Sequence, residues 1–370
     1  MPGKSPDRRS GKLKSLTLNV GAFSAMTVLG LALVEGFSSL AVAVRELLRE
    51  QTTEASQYDE LIGWVGIPGA AVPDLYGDGE GVRHDSRGFR GDVEVTASEP
   101  DGQLRIVCSG DSFTYGQGVA NREVWCHLLS QLDPRIQTVN LGQPGYGLDQ
   151  IFLRYKRDAS TLEHSIHLIA VVEGDFERMA WPERFGYGKP VLSVEADTLA
   201  VRNVPVPRLP WTVARILERA ELRMMRVAQR LVRAAGLGAA PSGLAEEEVR
   251  SASQVLFRTL ASSSDERGIV PVVIYLPTQR DLDRTSEWRS WLAEATTAAG
   301  LPFLDLAEEL EMMGAAEAGR LFIPPFAPVA DGHYTEAGNA WVARVVLDQL
   351  LDHPTTGVVL RSLEPETEAP

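Results

Sequence analysis

The chain is short of the residues that most often announce chemistry. It has two cysteines and six histidines in 370 residues, and no spacing among them suits a zinc site, so neither a metal nor a cofactor is expected. Two cysteines allow one bridge at most. Cys108 and Cys126 could form it, or could equally be small apolar residues buried on a strand and a helix. Positive charge is scarce as well: 36 Lys and Arg stand against 50 Asp and Glu, a net charge of −14. That balance argues against nucleic-acid binding, which needs a basic field. No internal repeat stands out, and long runs without charge are missing except for one.

That exception is Leu16 to Val34, which continues past Glu35 into Phe37 to Val44. It is long enough to cross a bilayer as a helix. Lys4, Arg8, Arg9, Lys12 and Lys14 precede it, while Glu46, Glu50, Glu54, Asp59 and Glu60 follow. The asymmetry places residues 1–15 in the cytoplasm, a single-pass anchor at 16–44 and the remainder outside the cytoplasm. A signal peptide cleaved near Ala41-Val42-Ala43 is the competing reading, although the apolar run is longer than such peptides usually carry.

The rest of the chain is organised around Leu104 to Gly118. Leu104, Ile106, Val107 and Cys108 make an apolar run broken only by Arg105 and stopped at Gly110-Asp111-Ser112, the pattern of a buried parallel strand. Ser112 then sits at a strand-to-helix turn, where open α/β sheets place their chemistry and the first amides of a helix face an anion. Strands at Ile136 to Leu141, Ile166 to Glu173, Ile269 to Leu276 and Pro302 to Leu306 alternate with helical patterns. This predicts a flavodoxin-like, doubly wound, five-stranded parallel sheet. Near the far end Asp331-Gly332-His333 precedes a last helix, so that serine, histidine and aspartate could form a nucleophile, a base and an orienting carboxylate.

With these blocks in hand, residues 104–352 resemble an SGNH/GDSL-family hydrolase of the membrane-anchored, extracytoplasmic type. The first block is Gly110-Asp111-Ser112-Phe113, the second Asn140-Leu141-Gly142-Gln143-Pro144-Gly145-Tyr146-Gly147, and the last Asp331 to His333. The resemblance implies the SGNH fold, catalysis by Ser112, His333 and Asp331, an oxyanion hole from Ser112, Gly142 and Gly174, and substrate contacts from Asp175 and Tyr146. One block departs: where the family has Gly-x-Asn-Asp, this chain reads Glu173-Gly174-Asp175-Phe176, without the asparagine amide. Losing one oxyanion donor costs about 10²–10³ in turnover. The implied function is therefore a serine esterase acting on carbohydrate O-acyl esters. The alternatives are an O-acyltransferase or a silent protein that binds glycan or scaffolds envelope polysaccharide assembly.

Three further segments complete the reading. Residues 45–103 look like a β-rich lead-in, where Arg83, Arg87 and Arg90 read as surface or structural groups. Residues 176–243 interrupt the sheet pattern as an insertion, with a hairpin in Lys189 to Pro207 and a long helix from Trp211 to Ala235. On that helix Arg215, Arg219, Arg223, Arg226, Arg230 and Arg233 form one basic stripe, either a solvated face or a surface for anionic lipid or glycan. After His353, acidic residues among prolines predict a disordered tail, 353–370.

Overall fold

The structure, a computed structural model, describes residues 21–39, 55–184, 187–207, 243–327 and 329–362. The Arg215 to Arg233 stripe lies outside the described residues.

Helix α1 (Gly21–Ser39) has a mean hydropathy of 1.4 over its most apolar window and is long and apolar enough to cross a membrane. Its Phe23, Met26, Val28 and Leu29 are exposed.

The α/β unit is built on five parallel strands: β1 (Leu104–Ser109), β2 (Ile136–Asn140), β3 (Ile166–Val171), β4 (Val270–Tyr275) and β5 (Phe303–Asp305). Their spatial order is β5-β4-β3-β1-β2, which is the flavodoxin-like arrangement. The register pairs Val107 with both Val139 and His167, and Ile169 with Val273. Because winding reverses between β1 and β3, the crevice at their carboxyl ends is where such sheets bind ligands.

Every residue of β1 and of β3 is buried, as both faces of the sheet are covered. Side chains alternate between the two layers. Ile106, Cys108, Leu168, Ala170, Val272 and Ile274 pack in one cluster with Trp125 and Leu129 of α3 (Trp125–Leu132) and Val342 and Val346 of α8 (Glu336–Asp352). The opposite layer holds α4 (Leu148–Asp158), packed on β1, and α6 (Glu246–Asp265), packed on β4. Arg105, the one charge in the first strand, is fully buried, and its guanidinium donates to Gln137 Oε1 and to the carbonyls of Ala97, Ser98 and Glu163. Those acceptors compensate a cation that the interior would otherwise reject. Both cysteines are free and buried.

Two expectations need correction. The insertion does not begin at Phe176, which lies fully buried inside α5 (Glu173–Met179), stacked on Trp288 at 4.6 Å. Trp288 belongs to α7 (Glu287–Ala298), so Phe176 is part of the layered core. The predicted hairpin is present, as Val191–Glu195 paired with Thr198–Arg202. Nor is the segment after His353 wholly irregular: Pro354–Arg361 is a helix, opened by proline at its first turn and anchored by buried Leu360.

Candidate active site

Local chemistry places Ser112 first. After β1 the chain turns at Asp111, which caps the single-turn α2 (Ser112–Tyr115) by accepting from the Phe113 amide at 2.8 Å. Arg90 of the lead-in holds the far side of the same loop. Its buried guanidinium donates to the carbonyls of Tyr115, Gly116 and Val119 and to Asn121 Oδ1, and it lies 4.6 Å from the centre of the Tyr115 ring. From the other side, residue 142 comes so close that a Cβ there would stand 2.2 Å from the Tyr115 amide nitrogen. Only glycine fits.

His333 reaches this turn from the segment before α8. Thr335 caps α8 by accepting from the Gly338 amide, the buried Tyr334 hydroxyl donates to the Pro277 carbonyl, and the His333 carbonyl accepts from the Ile323 amide. The imidazole stacks on Phe113 with centroids 4.7 Å apart. Its Nε2 lies 2.8 Å from Ser112 Oγ, while Nδ1 lies 3.2 Å from the Ala330 carbonyl. A carbonyl can only accept, so Nδ1 carries the proton and Nε2 offers its lone pair to the serine hydroxyl. That is the tautomer a general base requires.

Electrostatics around the ring are mixed. Burial lowers the His333 pKa, opposed first by the Asp111 carboxylate, then by hydrogen bonding to the Ala330 and Asp331 main chain and by the Asp331 charge. Asp331 was expected to orient the imidazole. The geometry gives the Nδ1 contact to the Ala330 carbonyl, with Asp331 acting on the ring through charge and main chain. Asp111 is the carboxylate with the larger effect, and its Oδ2 is 3.4 Å from Ser112 Oγ.

The remaining expected residues divide sharply. Among the proposed oxyanion donors, the Gly142 amide already donates to Asn140 Oδ1 at 2.8 Å, so it would have to give up that partner to serve an oxyanion. The amides of Ser112 and Gly174 have no acceptor among the described residues. Neither residue expected to touch substrate is available to it. Asp175 is completely buried, with one carboxylate oxygen on Arg178 and the other accepting from the Val172 amide. Tyr146 is also fully buried, and its hydroxyl donates to the Trp64 carbonyl. Both are framework groups; a polar side chain at a strand end looks alike in sequence whether it faces solvent or a buried partner.

Arg178 escaped the sequence reading. It lies four residues after Gly174 on α5, and its guanidinium donates to Asp111 Oδ2 at 2.6 Å, to Asp175, and to the Tyr146 carbonyl at 2.6 Å. One side chain thus ties together the turns that follow β1, β2 and β3. The signal that could find it is the four-residue spacing from Gly174 on a helix that runs from Glu173 to Met179, across the expected start of the insertion. A separate group of three carboxylates, Glu80, Glu123 and Glu336, brings its oxygens within 4.8 Å of one another and includes no histidine.

No family model matches this chain, and no curated protein is significantly similar to it in sequence. Solved structures to which this chain is similar include a member of the lipolytic protein G-D-S-L family from Veillonella parvula (15% identity, 68% of this chain and 100% of that one, TM-score 0.37). Others are the lipase/acylhydrolase from Enterococcus faecalis (13%, 67% and 95%, TM-score 0.37) and the acetyl xylan esterase AlAXEase (10%, 66% and 98%, TM-score 0.40). Likeness of this degree carries no argument about activity, which rests on the geometry.

Proposed function

We propose that the chain is a membrane-anchored serine esterase that removes acyl groups from carbohydrate esters outside the cytoplasm. The observation that carries this reading is the 2.8 Å contact between Ser112 Oγ and His333 Nε2, made by residues 221 positions apart with the imidazole in the accepting tautomer. His333 takes the hydroxyl proton as Ser112 attacks the ester carbonyl. The alcohol leaves with that proton, and water then releases the acid from the acyl-enzyme by the same route. The apolar α1, preceded by five basic residues between positions 4 and 14, supports anchoring with the amino end in the cytoplasm. The sequence blocks described above support the substrate class, for example O-acetyl groups on an exported polysaccharide.

The engaged Gly142 amide favours one second reading, a silent binder of the same fold. The test is labelling of the detergent-solubilised full chain with a fluorophosphonate and turnover of an acetyl ester, each beside Ser112→Ala. Labelling and hydrolysis that vanish in Ser112→Ala support the esterase. If the parent chain gives neither, the silent binder replaces it.

A further inference from the structure

We infer that Arg178 supplies the oxyanion contact of this site, its guanidinium meeting the charge that develops on the ester oxygen when Ser112 attacks. The inference rests on the esterase reading and adds a residue to it.

Three observations lead there. The first is location. Arg178 stands where β1 and β3 part, and its Nη2 bonds the same Asp111 oxygen that lies 3.4 Å from Ser112 Oγ. Only one carboxylate oxygen separates the cation from the nucleophile. The second is the room made for it. Residue 174 is glycine, and a Cβ there would stand 3.0 Å from Arg178 Nη1 and 3.5 Å from Cζ, so the guanidinium lies directly over the Gly174 backbone. Arg178 Nη1 thus occupies the space that a side chain at position 174 would enter. The third is the distribution of donors. Nε is held by the Tyr146 carbonyl and Nη2 by Asp111 and Asp175, while Nη1 has no acceptor among the described residues. The side chain is 15% exposed.

Shortage of other donors strengthens the case. With the Gly142 amide given to Asn140, the hole would keep the Ser112 and Gly174 amides alone. A guanidinium restrained by three acceptors is preorganised and needs no rearrangement as charge appears. Its neighbours hold it charged: Asp175 and Asp111 raise the Arg178 pKa against the effect of burial.

The Oγ–C bond forms while the carbonyl π pair moves onto oxygen, and the hydroxyl proton passes to His333 Nε2. Arg178 Nη1–H donates to the resulting oxyanion. When the pair returns, the C–O bond to the alcohol breaks, and the alcohol leaves with the proton from His333.

The experiment uses the full chain in detergent, with p-nitrophenyl acetate as substrate and phenylboronic acid as a probe that forms an anionic tetrahedral adduct on a serine. Removing Arg178 alone would strand two buried carboxylates, so Arg178→Gln is made together with Asp175→Asn and read against Asp175→Asn. Asparagine keeps an acceptor for the Val172 amide. We expect kcat to fall about 10²–10³-fold with KM unchanged, and boronate affinity to fall with it. Arg178→Lys, which retains the charge for both carboxylates but not the fork, is expected to lose turnover by far more than its modest loss of thermal stability explains. A double variant or Arg178→Lys with kcat and boronate affinity within threefold of its reference overturns the assignment and leaves the esterase reading standing. A parent chain without Ser112-dependent turnover or boronate binding overturns both.

Discussion

Arg90 offers the sharpest test of how the lead-in supports the nucleophile. Arg90→Met keeps an apolar stem near the Tyr115 ring and removes the guanidinium. The Tyr115, Gly116 and Val119 carbonyls and Asn121 Oδ1 then lose a donor, in a place where Arg90 is only 5% exposed. At about 1 kcal/mol for each net hydrogen bond, the four sum to about 4 kcal/mol. A domain of this size loses about 2–4 °C per kcal/mol, so the melting temperature should drop by about 8–16 °C. Differential scanning calorimetry of the parent and Arg90→Met reads this directly. Activity measured well below the transition should fall too, because the loop that carries Ser112 loses the clamp on its far end. A melting temperature within 2 °C of the parent, with unchanged turnover, would refute the claim that Arg90 braces the loop.

Two further outcomes follow from buried charge. His333 must be neutral to accept the serine proton, and burial holds its pKa below the ordinary value of 6.5. The acid limb of kcat/KM should therefore lie below pH 6.5. Asp111→Asn, which keeps an acceptor for the Phe113 amide, removes the strongest influence raising that pKa and should move the limb to still lower pH; a shift upward would contradict the assignment. Lys189 and Asp149 form a completely buried ion pair joining the hairpin segment to α4. Lys189→Met strands a carboxylate and should cost about 3–5 kcal/mol in urea unfolding. Adding Asp149→Asn should recover part of that loss, and no recovery would show that the pair is not the cause.

The parallel sheet was legible because its inner strands β1, β3 and β4 are buried on both faces and read as largely apolar runs between turn residues. Even the one exception, Arg105, was compatible, since its acceptors lie on neighbouring segments. The approach of Ser112 to His333 followed from the fold: strand ends and the start of α8 converge at the switch point. What failed was the meaning of polar residues at those ends. Asp175 and Tyr146 stand where substrate contacts belong, but their partners, Arg178 and the Trp64 carbonyl, come from other parts of the chain that no local pattern reveals. Arg90 was similarly opaque, since its three carbonyl acceptors lie beyond residue 114. The helix after His353 was lost to composition: prolines and acids further on coloured a segment whose own Val358, Val359 and Leu360 are apolar.

The charges around Ser112 make sense only as a set. The Asp111 charge favours the imidazolium that forms when His333 accepts a proton, and the same charge adds to burial in raising the pKa of Asp175. The Arg178 guanidinium bonds both carboxylates before any substrate arrives, and it opposes the rise in the Asp175 pKa without cancelling it. Proton transfer would next move positive charge toward Asp111 and create negative charge on the substrate. On the proposed assignment, that second charge meets the edge of the same guanidinium. The arrangement thus favours the separated charges of the transition state over the neutral serine and histidine, which is the direction catalysis requires. A surface salt bridge of the same three residues would be solvated in both states and could not discriminate between them.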